Sequence, residues 1–277
     1  MRHVAFTRDQ LRELKFAALL HDFGKISVRE DVLVKAKKVP PLLWERLDAR
    51  FELIRSGIEV EYLKRRAQLL RNRKGTQTQL ARLKVEFENQ QHQLEHMRDV
   101  VRAANEPSVN ASRNEELKEI ATHSFNRPDH TAIPYLTTEE LHYLQIPFGT
   151  LDEQERGEIQ SHAEQTHRFL EQIPWTDDLK NMATYAYSHH EKLNGTGYPR
   201  KLHGDEIPVQ SRMLAITDIL DALTEANRPY KPAMPIDKAI DVIMSEATAG
   251  QLDAELVRIL VESQCYRRIL EEDWHNF

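Results

Sequence analysis

Residues 11–25 read LRELKFAALLHDFGK, and this stretch decides the fold. Its leucines and alanines recur at helical spacing as far as Leu20, which predicts an amphipathic helix whose apolar face packs into a core. His21 and Asp22 follow at once, and Gly24 marks the end of the helix. An imidazole and a carboxylate therefore stand where an apolar helix stops.

The rest of the chain also favours helices. Among 277 residues there are only 9 glycines, 30% of residues are charged, and helix-forming side chains dominate. We therefore predict an all-α protein with room for one large domain or two small ones. Thr150 and Glu153 form a capping-box pattern that predicts a helix start. Further helices are predicted at 177–190, 209–225 and 235–246, and the tail from Asp253 to Trp274 is expected to close the bundle.

Residues 40–105 are long, charged and amphipathic, with a turn signal at 71–79. Two antiparallel helices are the simplest interpretation. The second helix has the alternating three- and four-residue spacing of a coiled coil. The residues at this spacing are Leu80, Leu83, Phe87, Gln90, Leu94, Met97 and Val101. Residues 105–134 are polar and contain three prolines, so we expect an irregular segment that returns to the main domain.

Charge and cysteine content exclude several classes of protein. The formal net charge of −6 argues against a broad basic surface that binds DNA. The single cysteine, Cys265, excludes an internal disulfide framework and fits a reducing compartment, so we expect a cytoplasmic protein. No apolar run of about 18 residues is present, and we expect no membrane span within this chain.

A set of imidazoles and carboxylates lies at or near predicted helix ends, several of them beside apolar runs. This donor set suits Fe, Mn, Zn or a similar divalent ion. The candidates are His21, Asp22, His162, His189, His190 and Asp218. In a two-ion site a carboxylate bridges both ions, and Asp22 is the natural bridge. On spacing alone, two adjacent histidines such as His189-His190 are more often part of a surface helix than metal ligands.

The residues that follow this pair favour metal binding over a surface-helix role. Residues 189–199 read HHEKLNGTGYP, and Ile207-Pro208 precede Arg212. Next come Asp218 with DALT at 221–224, and RPYK at 228–231. Upstream lie LLHDFGK at 19–25 and Gly149-Thr150-Leu151 before His162. Five matches in this order closely resemble the HD-GYP family of metal-dependent phosphohydrolases.

The resemblance implies an HD-type helical bundle formed by residues 1–35 and 147–277. Residues 36–146 would then be an inserted, coiled-coil-like helical hairpin with its return segment. The six candidates above match the positions of the family's metal ligands. Lys25 and Arg212 would contact substrate phosphates, and Asp22 and Lys25 would be the catalytic residues. Gly195, Gly197 and Tyr198 would form a loop beside the substrate.

The function that this resemblance implies is hydrolysis of cyclic di-GMP to pGpG, and in a second step to GMP, by a metal-activated water. The expected cofactors are two divalent ions, Fe or Mn first, with Zn, Ni or Mg as alternatives and a third ion left open. Two other functions stay open. One is a weakly active or inactive cyclic-dinucleotide sensor, with a homodimer through the hairpin or a GGDEF-type diguanylate cyclase as partner. The other is hydrolysis of another nucleotide, such as cyclic GMP-AMP.

Two departures from the family pattern bear on these alternatives. Asn194 stands where the family usually has aspartate, which puts the loop's hydrogen bonds in question. Many members also have a further histidine ligand on a helix well before the HDxGK motif, whereas only twenty residues precede His21 here. We therefore expect either the cytosolic C-terminal part of a longer regulator or a reduced metal site.

Overall fold

The computed structural model describes residues 5–71, 76–107, 113–127, 131–225 and 233–267. It confirms the predicted all-α class. The α-helices are α1 Arg8–Leu20, α2 Glu30–Leu33, α3 Pro41–Arg71, α4 Gln77–Ala104, α5 Arg113–Thr122, α6 Thr138–Leu144, α7 Glu153–Glu171, α8 Met182–Tyr187, α9 Val209–Thr224, α10 Ile236–Thr248 and α11 Ala254–Ser263. Short 3₁₀ helices lie at Phe23–Ser27, Asp177–Leu179 and Gly204–Glu206, and strands β1 and β2 at Ser124–Asn126 and Ala132–Pro134.

The chain divides into two compact units. Unit 1 comprises Met1–Leu33 and Glu155–Phe277, and unit 2 comprises Val34–Gln154. The predicted insertion, 36–146, lies wholly within unit 2. That this segment is an insertion into a family domain stays a prediction. No helix in the described ranges has the length and apolar character that a membrane span requires.

Unit 1 is built around two apolar clusters. In the first, α1, α8 and the end of α7 bring together Ala17, Leu170 and Met182, each fully buried. In the second, α9, α10 and α11 pack through residues such as Ile216 and Ile243. Because α9 contributes to both clusters, it has little exposed surface and ties the two halves of the unit together. Burial of these side chains supplies most of the stabilisation of the unit.

Unit 2 contains the predicted hairpin. Arg65 of α3 pairs with Glu86 of α4, and Arg98 of α4 pairs with Asp48 of α3, so the two helices run antiparallel. Thr76 caps the start of α4 through a capping box with Gln79. Most of the predicted coiled-coil positions of α4 are buried or half-buried, but Gln90 is exposed. The base of the hairpin shares an apolar core with α5, α6 and the β1–β2 pair.

The segment that returns from the hairpin is more regular than we predicted. Within residues 105–134 the structure has α5 and an antiparallel pair of three-residue strands in which Phe125 faces Ile133. Helix α5 buries only Leu117 and Ile120, so it shows too little apolar periodicity to be predicted from sequence. The prediction of an irregular segment was therefore wrong for the described part of residues 105–134.

Two predicted helix boundaries also needed correction. The predicted helix 177–190 is a 3₁₀ turn followed by α8, which ends at Tyr187, so His189 and His190 lie beyond it. Thr150 does not cap α7, because its hydroxyl donates to the Lys35 carbonyl oxygen at 2.9 Å. Helix α11 ends at Ser263. Trp274 and the RPYK segment at 228–231 lie outside the described residues.

Candidate metal centre

The HDFGK motif lies directly after α1. Thr7 caps the start of α1 through a capping box with Gln10, and His21 is the residue that ends it. The 3₁₀ helix Phe23–Ser27 then turns the chain sharply, which leaves His21 and Asp22 at the corner. Both side chains are thus held by regular backbone on either side rather than by a long loop.

Gly24 lets this corner pack closely against α7. A Cβ atom on Gly24 would lie 2.1 Å from the His162 carbonyl oxygen, a distance that no side chain tolerates. The Gly24 amide donates to Thr166 Oγ1 at 2.8 Å, and the Thr166 hydroxyl donates to the His21 carbonyl oxygen at 3.0 Å. Thr166 is fully buried. It therefore fixes the HDFGK corner against the helix that carries His162.

The remaining candidate ligands come from three further elements of unit 1. His162 lies in the middle of α7 and is 1% exposed. His189, also 1% exposed, and His190 follow the end of α8. Asp218 lies in α9. The structure thus brings side chains from four segments to one place.

All six predicted ligands fall into two groups that share Asp22. One group consists of Asp22, His162, His189 and His190, and the other of His21, Asp22 and Asp218. Within each group one potential ligand atom per residue lies within 4.8 Å of every other. This is the arrangement that two neighbouring ions with one bridging carboxylate require. The cluster is able to bind metal, and its chemistry does not by itself identify the ion.

Backbone carbonyl groups fix the orientation of three of the imidazoles. His21 Nδ1 lies 2.7 Å from the Ala18 carbonyl oxygen. The Nδ1 atoms of His162 and His189 lie 2.5 Å from the carbonyl oxygens of Ile159 and Ala186, respectively. A carbonyl only accepts, so each Nδ1 carries the proton and donates it. When these imidazoles are neutral, each Nε2 directs a lone pair into the cluster, as metal-ligating histidines do.

These Nε2 atoms lie close to one another and to the Asp22 carboxylate. His162 Nε2 lies 3.2 Å from both Asp22 Oδ1 and His190 Nε2. The buried atoms His21 Nε2, Asp22 Oδ1 and His189 Nε2 have no hydrogen-bond partner among the described residues. Acceptor atoms this close repel one another unless a cation or a proton lies between them. The donor set and its unsatisfied atoms therefore fit divalent ions.

In the absence of ions, a proton takes part of this role. Burial on its own lowers the pKa of His21, but contacts with Asp218 and Asp22 outweigh it and raise the pKa to about 10. Burial lowers the pKa of His189 to about 4, which keeps that imidazole neutral. Burial raises the pKa of Asp22, but contacts with His162, His21 and Lys25 hold it far below its usual range. The cluster thus contains the ionised carboxylates of Asp22 and Asp218, the neutral imidazoles of His189 and His190, and the imidazolium of His21.

The loop after His190 is held by the side chains of two of its own residues. Buried Glu191 accepts hydrogen bonds from the backbone amides of Arg200 and Leu202, which closes the loop. Asn194 Oδ1 accepts from the Thr196 amide and hydroxyl, at 3.1 and 2.7 Å. An aspartate carboxylate would accept the same two bonds, so the Asn194 departure leaves this turn intact.

The predicted glycines and Tyr198 shape this loop. Gly195 has a φ of +75°, and a Cβ there would lie 2.0 Å from the His203 ring. A Cβ on Gly197 would lie 2.6 Å from the His190 carbonyl oxygen. The Tyr198 ring packs 4.7 Å from the His190 ring. Burial raises the pKa of Tyr198, so its hydroxyl stays neutral.

The two predicted phosphate-binding cations have different surroundings. Lys25 Nζ donates to Asp22 Oδ2 at 2.5 Å, and its side chain is 42% exposed, so it lies at the cluster and remains accessible. Arg212 instead donates to the carbonyl oxygens of Ile207 and Gly204 and to Asp253 Oδ2 at 3.1 Å. Its guanidinium is committed to these acceptors. The structure does not bring Arg212 to the cluster, and its contact with substrate stays a prediction that this geometry does not favour.

A pocket of about 390 Å³ opens beside the cluster, within the range of about 300–1,000 Å³ typical of small-molecule sites. His189, His190 and Asp218 form one side, Ile219 and Leu252 form apolar walls, and other lining residues include Lys192 and Glu246. Sequence reasoning missed Thr166, Glu191, Lys192 and Glu246. Glu191 and Lys192 stand inside the quoted HHEKLNGTGYP stretch, whereas Thr166 and Glu246 carry no local signal at all.

The fold and the site define an α-helical protein with a partly buried His/Asp cluster that is able to bind metal. Comparison with known families makes this specific: the profile of the HD domain family matches residues 110–256, just over half of the chain. The chain belongs to the HD domain family. The match begins after His21 and Asp22, which the fold nevertheless brings to the same centre.

Curated relatives include several bacterial phosphodiesterases. Over 107 residues, 39% of this chain, the sequence is 47% identical to 3′3′-cGAMP-specific phosphodiesterase 3 of Vibrio cholerae. It is 46% identical over 26% of the chain to a cyclic di-GMP phosphodiesterase of the same organism. It is also 37% identical over 34% of the chain to a cyclic di-GMP phosphodiesterase of Thermotoga maritima. The matching segments span only 22%, 14% and 27% of these three relatives.

Proposed function

We propose that the chain is a metal-dependent phosphodiesterase that hydrolyses a cyclic dinucleotide, cyclic di-GMP first, in the cytoplasm. The observation that carries the proposal is the convergence of the six imidazole and carboxylate side chains on one cluster, beside a pocket that three of them, His189, His190 and Asp218, help to line. Relatives named as cyclic-dinucleotide phosphodiesterases support the substrate class.

Two divalent ions, Fe or Mn first and Zn, Ni or Mg as alternatives, fit the two residue groups. Bound there, they would polarise the phosphoryl oxygens and make hydroxide available near neutral pH. The new bond joins the water oxygen to phosphorus while the bond from phosphorus to the ribose 3′ oxygen breaks. That oxygen takes up a proton, and the product is linear pGpG. A second hydrolysis of the same kind would give GMP.

The protein's own groups prepare this reaction. Asp22 stays ionised because its pKa is low, which suits it to bridge two cations. Lys25 holds one Asp22 oxygen and keeps an accessible ammonium group next to the cluster. A cation in this position offsets the negative charge that accumulates on the phosphoryl group. Three backbone carbonyls preset the imidazoles, so little reorganisation is needed when the site fills.

The proposal is tested by metal analysis and turnover on one sample. Protein purified without chelator and under reducing conditions is expected to hold two ions per chain and to convert cyclic di-GMP to pGpG with Mn or Fe(II) added. Asp22→Ala and His189→Ala are each expected to lose metal and turnover, whereas His92→Ala, at an exposed position of α4, should lose neither. Metal retained in both site variants would overturn the ligand assignment.

A second substrate deserves the same assay because the 47% identical relative is named as specific for 3′3′-cGAMP. The HD core accommodates either nucleotide, and the two differ only in one base. Turnover of 3′3′-cGAMP at least tenfold above that of cyclic di-GMP would assign the chain to the mixed dinucleotide. Saturable nucleotide binding with full metal content and no turnover of either would instead indicate a sensor.

We also propose that α3 forms a homodimer contact. Leu53, Val60, Leu63 and Leu70 recur at intervals of seven, three and seven residues, and all are 46–56% exposed. This is the heptad spacing of a coiled-coil seam, here on a face that the hairpin itself leaves open. Light scattering over a concentration series is expected to give a dimer. A monomer at every concentration would exclude this contact and leave a diguanylate cyclase-type partner as the alternative.

A further inference from the structure

The pocket beside the metal centre has a second polar feature that takes no part in holding ions. Lys192 lies two residues after His190, and its ammonium group donates to Gln251 Oε1. The Leu193 amide also donates to the Gln251 carbonyl oxygen, at 3.0 Å, so the segment after His190 is fixed. Lys192 Nζ lies 3.5 Å from Glu246 Oε2 of α10. The structure thus holds an ammonium and a carboxylate side by side in the pocket wall.

Glu246 is incompletely satisfied in this arrangement. Its Oε2 atom is buried and has no hydrogen bond within the described part of the chain, since the approach of Lys192 is close without hydrogen-bond geometry. A buried carboxylate oxygen without a donor costs free energy. Such an atom in a pocket wall is suited to accept a donor from a ligand.

The rest of the pocket suits a flat aromatic ring. Ile219, Ala222 and Leu223 of α9 and Leu252 supply apolar walls, and the carboxylate and ammonium lie among them in the same lining. A ring seated between such walls is desolvated on its faces, so its polar edge must find partners in the protein. Glu246 and Lys192 are available for that edge.

We propose that Glu246 and Lys192 read the Watson–Crick edge of a guanine base, which makes them the residues that select the base of the substrate. The inference rests on the proposed function, because it takes the nucleotide to be bound with its phosphodiester at the metal centre. Guanine presents two donors, N1–H and N2–H, next to the acceptor O6. The Glu246 carboxylate accepts from the two donors, and the Lys192 ammonium donates to O6.

Adenine fails at the same edge. Its N1 is an acceptor, so it would face the Glu246 carboxylate with two lone pairs opposed, and its amino group would face the Lys192 ammonium with two donors opposed. A site built on one hydrogen-bonding pattern rejects a ligand that leaves its buried groups unpaired. A bidentate contact of this kind discriminates between bases by roughly 10-fold to 100-fold.

The test measures binding and is separate from turnover. Equilibrium binding of cyclic di-GMP and cyclic di-AMP is measured by calorimetry on the full 277-residue chain with Mn²⁺ present. Wild type is expected to bind cyclic di-GMP roughly 10-fold to 100-fold more tightly. Glu246→Gln replaces one acceptor oxygen by a donor, which suits the edge of adenine. It is expected to reduce this preference to threefold or less.

Two controls remove structural explanations. Asp241→Asn changes a carboxylate to an amide on the exposed side of the same helix and should keep the wild-type preference. Asp241→Asn should also hydrolyse bis(p-nitrophenyl) phosphate, which has no base, at the wild-type rate. Should Glu246→Gln not fold, cyclic di-IMP takes over the test on wild type: it lacks the guanine 2-amino group and should bind about 10-fold more weakly than cyclic di-GMP.

The outcomes separate this inference from the proposed function. A guanine preference that falls in Glu246→Gln supports the inference even when no nucleotide is turned over, in which case only the proposed function fails. Equal wild-type binding of cyclic di-GMP and cyclic di-AMP overturns the inference, and so does a preference that survives Glu246→Gln. If cyclic di-GMP is turned over and either of these results is obtained, the proposed function holds and only the inference about Glu246 and Lys192 fails.

Discussion

Replacing Thr166 by valine tests whether the metal centre depends on the packing of α7 against the HDFGK corner. Valine keeps the shape of threonine and removes only the hydroxyl group. That hydroxyl accepts from the Gly24 amide at 2.8 Å and donates to the His21 carbonyl oxygen at 3.0 Å. Thr166→Val therefore leaves the Gly24 amide and the His21 carbonyl oxygen without this partner. Thr166 is fully buried, so water does not reach its side chain to replace the hydroxyl group.

The magnitude follows from the cost of unsatisfied groups, about 1–3 kcal/mol each when buried. Gly24 is buried, whereas His21 is half-buried and its carbonyl group costs less. We expect a loss of about 3 kcal/mol in the free energy of unfolding, which lowers Tm by roughly 6–12 °C for a unit of this size. A looser corner should also weaken metal binding by about 10-fold to 100-fold, as loss of an outer hydrogen bond does at other metal sites.

The assay combines urea unfolding of the ion-free protein with titration of Mn²⁺ into folded protein. Thr248→Val is the matched control, because Thr248 is exposed and its hydroxyl only donates within its own helix, to the Met244 carbonyl oxygen. We expect a change below about 0.5 kcal/mol there. A stability loss in Thr166→Val with unchanged Mn²⁺ affinity would refute the role of Thr166 in positioning the metal ligands. No stability loss at all would refute the contribution of its two hydrogen bonds to the fold.

Three further predictions follow from the site. Asn194→Asp should change the free energy of unfolding by less than about 0.5 kcal/mol, because either side chain accepts the two Thr196 bonds; a larger change in urea unfolding would contradict the turn described. Arg212→Ala should cost about 3 kcal/mol because it leaves Asp253 without its buried ion pair. A raised KM in Arg212→Ala with an unchanged free energy of unfolding would instead indicate that Arg212 contacts the substrate. Apparent metal affinity should rise up to about tenfold per pH unit between pH 6 and 9, because His21, with a pKa of about 10, must lose its proton to bind an ion. If calorimetric titrations give the same metal affinity from pH 6 to pH 9, His21 is not an imidazolium over this range.

The sequence alone identified the six candidate ligands because each lies within or beside a short motif, and that they bind metal stays a prediction. His21 and Asp22 follow an apolar helix, and the pair His189-His190 precedes a glycine-rich loop, so local patterns suffice to find them. Their assembly around Asp22 needs the tertiary fold, which motif order alone does not provide. The structure supplies it through α7, where the close approach at Gly24 brings His162 to Asp22.

The residues whose contacts sequence reasoning did not foresee share one property: their partners are distant in sequence. Thr166 acts on a corner 142 residues earlier, and Arg212 is bound by Asp253, 41 residues later. A buried threonine or an arginine within a motif looks the same whether it meets substrate, backbone or carboxylate. The missed α5 is a different case, since two buried side chains in ten residues leave almost no periodicity to detect.

The metal centre also explains why so many acceptors converge in a small buried space. Fixing Nδ1 of three imidazoles to backbone carbonyls directs three Nε2 lone pairs towards two ionised carboxylates. Without ions, one proton on His21 offsets only part of this repulsion. The fold therefore holds a strained set of charges whose free energy falls when cations bind, so ion binding and the stability of unit 1 are coupled. As the pH rises, fewer protons compete for His21, so the same geometry should bind a divalent ion more tightly.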